Sequence, residues 1–121
     1  MSAQLADVPL FDDLQIALLR EALDEDDLAA LLAELPQATG AAIEAIKAAA
    51  SSADLAEVQR AAHVLKGSAG SFGAARLASL AREIELELRG MDEVTESLAR
   101  LAAVAEQTWA HLPVIVGRPL K

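Results

Sequence analysis

Residues 62–73 read AHVLKGSAGSFG. A histidine, a lysine three places on and three glycines sit in a chain otherwise dominated by helix-forming alanine and leucine. A glycine inside a helix costs roughly 1 kcal/mol relative to alanine. On a helix, Gly67 lies one turn beyond His63 and Gly70 nearly two turns beyond it, on the same face. Helix stability is given up beside the one mid-chain histidine. The rest of the chain decides whether this stretch is a helix at all.

Apolar spacing is helical nearly throughout, and no alternating strand pattern competes with it. Leu55, Val58, Ala62, Leu65, Ala69 and Phe72 form one stripe, so the quoted stretch closes a helix that begins after the turn Ser51–Asp54. Asp54 followed by Glu57 resembles a capping box at its start, and Gly73 marks the next turn. Upstream, a short helix is expected from about Asp12 to Ala22. The acidic run Asp24–Asp27 suits the N-terminus of a second helix, where carboxylates meet exposed N–H groups. That helix carries Leu28, Leu32, Leu35, Ala42, Ile46 and Ala49. Pro36 and Gly40 interrupt it, with a kink or break expected at Pro36. Downstream, a fourth helix turns Leu77, Leu80, Ile84 and Leu88 inward and stops at Gly90 as a C-terminal cap. Asp92 is placed to cap a last helix with Val94, Leu98, Leu101, Ala105, Thr108 and Leu112 inward, and Pro113 is expected to end it. Short loops between long helices favour antiparallel neighbours. The fold expected is all-α: an antiparallel up-and-down four-helix bundle with a short extra N-terminal helix. One domain fills residues 1–121, with the bundle core at about 24–112 and an irregular tail at 113–121.

Composition agrees. The chain has 121 residues, enough for one core. Aromatics are 2% of the residues, so the core is aliphatic, and abundant small side chains suit closely packed helices. There is no cysteine, hence no disulfide or thiolate chemistry. A formal net charge of −9 disfavours nucleic acids and anionic membranes, whose phosphates are bound by Lys and Arg. No stretch approaches the roughly 20 apolar residues that span a bilayer. The start, MSAQLADVPL, lacks a basic region followed by an apolar run, so no signal peptide is evident. A soluble cytoplasmic protein is expected.

At about 100° per residue, His63 points away from the buried stripe. Leu65 and Phe72 lie roughly opposite it. Its face is shared by Ala56, Gln59, Arg60, Lys66, Gly67, Gly70 and Ser71, with no bulky apolar residue among them. Polar surface is the plain reading of a histidine on a helix. The two glycines on its face argue for close approach by another molecule. Gly70 has a second reading as part of helix termination. Lys66, a helical neighbour of His63, disfavours imidazolium by like-charge repulsion and is placed to neutralise an anion arriving on the ring. A phosphoryl group fits, since it is anionic and neutral imidazole can attack it. Ser68 and Ser71 offer hydroxyls, a weak signal on any helix surface.

The run His63–Gly73, HVLKGSAGSFG, closely resembles the His-x-x-Lys-Gly signature of histidine-containing phosphotransfer (HPt) domains of two-component phosphorelays. The likeness extends from about Leu14 to Glu85. It implies a four-helix bundle that relays a phosphoryl group between receiver-domain aspartates through phosphohistidine on His63. Lys66 would steady the phosphate and Gly67 would admit the partner. The expected partners are receiver domains of response regulators and hybrid histidine kinases, and the chain is expected to be a monomer. The resemblance implies no metal and no ATP site in this chain, Mg²⁺ belonging to the receiver. The sequence carries no P-loop or Gly-rich nucleotide fingerprint.

Members of that family often place a glutamine or glutamate on the next helix against the imidazole. His63 lies about 13 Å along the axis from the turn near Phe72–Gly73, and the same level on the antiparallel next helix falls near Arg82–Glu85. Glu85 flanks the inward Ile84 and is the candidate to accept from one ring N–H. An ordinary solvated glutamate is its plain alternative. The site set is therefore His63, Lys66 and Glu85, with Gln59, Arg60, Gly67, Gly70 and Ser71 for partner docking. A related chemotaxis-kinase domain tends to carry a second histidine near the position of Arg82, which argues for a relay module here. Met1 and the small size favour a stand-alone protein over a piece of a hybrid kinase. His111 is expected to be helix-terminal or partly buried. A phosphohistidine hydrolase would need an electrophile site or metal cluster near His63. A bundle that serves only for docking would not need His63 and Lys66.

Overall fold

The computed structural model describes residues 7–117. The N-terminal residues scanned for a signal peptide lie largely outside them, as does the end of the expected tail. Six α-helices run in order: α1 (Asp13–Ala22), α2 (Glu25–Ala33), α3 (Leu35–Ser51), α4 (Leu55–Ser71), α5 (Ala75–Glu87) and α6 (Val94–Val116). A 3₁₀ turn at Met91–Glu93 leads into α6. Helices α3, α4, α5 and α6 each pack on two neighbours and close a four-helix bundle, while α2 leans on α6 and α1 on α2.

Aspartates start three of the helices. Asp12 Oδ1 accepts from the backbone N of Leu14, Asp24 from Asp27 and Asp54 from Glu57, each satisfying a donor the helix leaves open. The capping box at Asp54 is half formed, because the Glu57 carboxylate turns to Arg60 instead of back to the cap. The expected stripes are the core: Leu32, Leu35, Ile46, Val58, Leu65, Leu77, Leu80 and Leu101 are fully buried.

The α4–α5 turn positions the site. Gly73 takes φ 74°, a left-handed value that favours glycine. Its carbonyl accepts from Asp12 N at 2.8 Å, which fastens the start of α1 to the bundle.

Several expected boundaries move. The long second helix is two, broken at Glu34, with Pro36 in the first turn of α3 where its missing N–H costs nothing. Gly40 does not interrupt α3. It lies inside the helix with Trp109 Cζ2 nearby, 3.9 Å from where a Cβ would stand. Gly90 is not the cap of α5. That helix ends at Glu87, and Gly90 is extended with φ −163°. Asp92 does not cap α6. It sits in the 3₁₀ turn, and Glu93 takes the N-cap place without a side-chain bond. Pro113 does not end α6, and residues 113–116 are helix rather than irregular tail. Pro113 removes one backbone donor, yet Leu112 is buried and Ile115 and Val116 pack on the core beyond it. The Arg20 guanidinium donates to the Ile115 carbonyl. The stop is Gly117, with φ 74° and its N–H on the Pro113 carbonyl at 2.9 Å.

Candidate functional site

Helix α4 turns Val58, Ala62, Leu65 and Ala69 into the core, which leaves His63 on the outer surface with 64% of its side chain exposed. Helix α5 buries Leu77, Leu80, Ala81 and Ile84, so Glu85 is set at the edge facing α4. There its side chain is 18% exposed. The two side chains meet: His63 Nδ1 and Glu85 Oε2 are 2.7 Å apart. The level of the bundle at which they meet is the one that counting residues from the Gly73 turn picks out.

The second carboxylate oxygen is also occupied. Lys66 Nζ lies 2.8 Å from Glu85 Oε1, and Lys66 keeps a third of its side chain exposed. Glu85 thus bridges two cations or donors of α4. Its carboxyl is held below the usual carboxylate range, first by the hydrogen bond from Lys66 and further by His63, against the opposing effect of burial. An ionised carboxylate accepts and does not donate. The contact therefore places an N–H at Nδ1 of His63, the nitrogen that faces Glu85. An exposed imidazole held through one ring nitrogen by a neighbouring carboxylate is what this arrangement supplies.

The sequence places Lys66 beside the imidazole as a repelling charge and an anion clamp. In the structure its ammonium is on Glu85. Of the residues read as a docking face, Gly67 and Gly70 are exposed helical positions where an added Cβ meets no atom within 4 Å. Three others have internal partners. Gln59 Nε2 donates to the Leu88 carbonyl at 3.1 Å, closing the frayed end of α5. Arg60 pairs with Glu57, and Ser71 Oγ donates to the Gly67 carbonyl at 2.9 Å. Gln59 and Lys66 both reach α5, so α5 borders one side of His63, and Gly67 lies toward the open side.

Two apolar side chains escape the sequence reading. Val64, next to His63, and Leu86, next to Glu85, are 58% and 57% exposed. Val64 lies about 100° around the helix from His63, off the buried stripe, which is the signal that marks it. Helix α1 adds exposed Leu14 and Leu18, and its Asp12 and Gln15 line a shallow cleft with Gly70, on the His63 face of α4.

Arg82 is exposed. His111 is partly buried and stacks on Phe11 with ring centroids 6.0 Å apart. Because α6 runs on to Val116, His111 is not its terminal residue. Among the described residues there is no group of three or more His, Cys, Asp or Glu side chains arranged to hold a metal ion. No described helix is long and apolar enough to cross a membrane.

Residues 28–111, well over half of the chain, match the family model of the Hpt domain. The chain belongs to the Hpt family. Among solved structures, this Hpt domain is similar to histidine-containing phosphotransfer protein B (HptB) from Pseudomonas aeruginosa PAO1, with 26% sequence identity, 89% of each chain covered and a TM-score of 0.59. Nothing among curated proteins matches it. Membership and structural likeness together assign histidine phosphotransfer in a two-component phosphorelay. Hpt domains carry phosphoryl groups and are not kinases, and their partners are receiver domains of phosphorelay proteins.

Proposed function

We propose that His63 Nε2 is the phosphoryl-carrying atom. The observation that carries this is the 2.7 Å contact of His63 Nδ1 with the Glu85 carboxylate, which leaves Nε2 as the nucleophile on an exposed ring. In the incoming step the Nε2 lone pair attacks the phosphorus of an aspartyl phosphate on a receiver, and the aspartate carboxylate leaves. In the outgoing step an aspartate of another receiver attacks the same phosphorus, and the P–N bond breaks. Glu85 orients the ring. Lys66 is within reach of the site and steadies the phosphoryl oxygens as a flexible point charge. Gly67 and Gly70 keep the approach open, and exposed Val64 and Leu86 give a receiver an apolar rim to bury.

The chain acts as one domain, a monomer in the cytoplasm, with no cofactor of its own and no turnover chemistry beyond the relay. Mg²⁺ enters on the receiver. The test is phosphotransfer from a phosphorylated receiver with radiolabelled phosphate. The label should be acid-labile, base-stable and transient, and should be lost in His63→Gln. A His63→Gln protein that accepts label as well as the wild type would overturn the reading.

A further inference from the structure

Glu85 stands in the last turn of α5, and Ile84 is the last residue of that helix to be buried. The carbonyls of a last turn have no donors within the helix, so the turn frays unless something outside takes them. The cap N–H groups of α1, α3 and α4 bond back to their own helices. Leu88, the cap of α5, is extended at φ −71° and ψ 136° and makes no such bond among the described residues. Just beyond it, Arg89 N donates to Glu93 Oε1 at 2.8 Å. The Leu88 carbonyl is taken from across the seam, by Gln59 Nε2 at 3.1 Å.

The register gives that bond a second consequence. Gln59 is four residues before His63, on the same face of α4, and Leu88 follows Glu85 by three residues. Gln59 with Leu88 and His63 with Glu85 are therefore successive rungs between two antiparallel helices, about one turn apart. Ile84 anchors the end of α5 on its core side, and the rungs hold its outer edge. Gln59 is partly buried, which limits competition by water for the carbonyl.

We infer that Gln59 is a positioning residue for phosphotransfer. By pinning the Leu88 carbonyl it stops the last turn of α5 from fraying, and so holds Glu85 at the His63 ring. This rests on the reading that Glu85 orients His63 for transfer. It replaces a docking role for Gln59, because the side-chain amide is spent on α5 rather than offered to a partner.

The test uses Gln59→Met, which keeps the side-chain length and removes the donor. Phosphoramidate, a small phosphodonor that needs no receiver, separates positioning from docking. Phosphorylation of Gln59→Met by phosphoramidate should slow about threefold to tenfold, the worth of one net hydrogen bond. The nitrogen-15 shifts of the His63 ring should move from an Nδ1–H tautomer toward a mixture of tautomers. Gln59→Lys, which restores a donor, should bring the ring shifts back. Wild-type ring shifts and a wild-type phosphoramidate rate in Gln59→Met, with slower transfer from a receiver, would make Gln59 a docking residue and overturn the inference. Glu85→Ala tests the reading beneath it. If Glu85→Ala moves both readouts while Gln59→Met moves neither, the inference falls alone. If Glu85→Ala moves neither, the orienting role of Glu85 falls too. The wild type decides even if the variants fold poorly: the Gln59 side-chain amide should exchange its protons with water more slowly than that of exposed Gln37. Equal exchange rates would show that the clamp is not kept in solution and overturn the inference.

Discussion

Lys66 Nζ and Glu85 Oε1 are 2.8 Å apart, an ion pair that joins α4 to α5 about one helical turn from His63. In the resting protein the lysine that follows the histidine is thus committed to a carboxylate of the neighbouring helix. Any role of Lys66 toward phosphate involves sharing or leaving that partner.

Lys66→Ala should slow phosphotransfer and leave the fold intact, since it removes no core side chain, with a modest loss of stability from the Glu85 oxygen left without its partner. Transfer at the wild-type rate in stopped-flow measurements with a receiver would reduce Lys66 to a surface charge.

The same pair has a signature in acid. Glu85 has its pKa lowered on folding, first by Lys66. The stability this gives is fully present above the unfolded value, about pH 4.3, and is lost as pH falls through the lowered folded value. Lys66→Ala removes the first cause. The variant should therefore lose less stability than the wild type between pH 5 and pH 3, read as the shift in urea midpoint. Equal shifts would mean that the pair does not persist in solution.

Gly67→Ala should stabilise the free protein by roughly 1 kcal/mol, because the position is helical and a methyl group meets nothing within 4 Å. The same methyl, and more so Gly67→Gln, should slow transfer and weaken receiver binding. Melting temperature and rate measured on one sample should move in opposite senses for function. A variant that melts lower and transfers normally would contradict the open face around Gly67.

Gly73→Ala should do the reverse. The residue has φ 74°, and a Cβ would stand 3.1 Å from Gln15 Cγ. A loss on the order of 1–2 kcal/mol is expected from the strained backbone and the displaced α1. The folded fraction should still transfer phosphate, because the turn is remote from the His63 ring. Unchanged melting would mean that α1 is not anchored there.

Trp109 Nε1 donates to Thr39 Oγ1 at 3.1 Å, and Thr39 Oγ1 donates to the Leu35 carbonyl at 2.7 Å, tying α6 to α3. Thr39→Val should cost about 1 kcal/mol by leaving the indole N–H unpaired. Trp109 is the only tryptophan, so its fluorescence reports this contact directly. An emission spectrum identical to wild type would show that the bond is not kept in solution.

The sequence by itself determined the helical class, the inward stripes and the outward His63. Those follow from a 3.6-residue period acting on an aliphatic chain, a local property. It also marked Gly73 and Gly67 as exceptional, because a glycine in or beside a helix needs a reason. Helix ends were less legible where tertiary contacts outvote local preference. Pro113 lies within α6 because Ile115 and Val116 gain burial beyond it. Gly90 is not a cap because α5 frays at Leu88, whose carbonyl Gln59 takes from α4. Only the tertiary structure decided where charges go. Lys66, Arg60 and Gln59 are long and flexible, and a helical wheel gives the side of departure but not the partner. Lys66 is drawn to Glu85, a carboxylate 19 residues away in sequence and 2.8 Å away in space, because burial at the α4–α5 seam makes a carboxylate there seek donors. Residue counting picks out Glu85 as the partner of the His63 ring, but only the fold decides that the nitrogen facing it is Nδ1, at 2.7 Å.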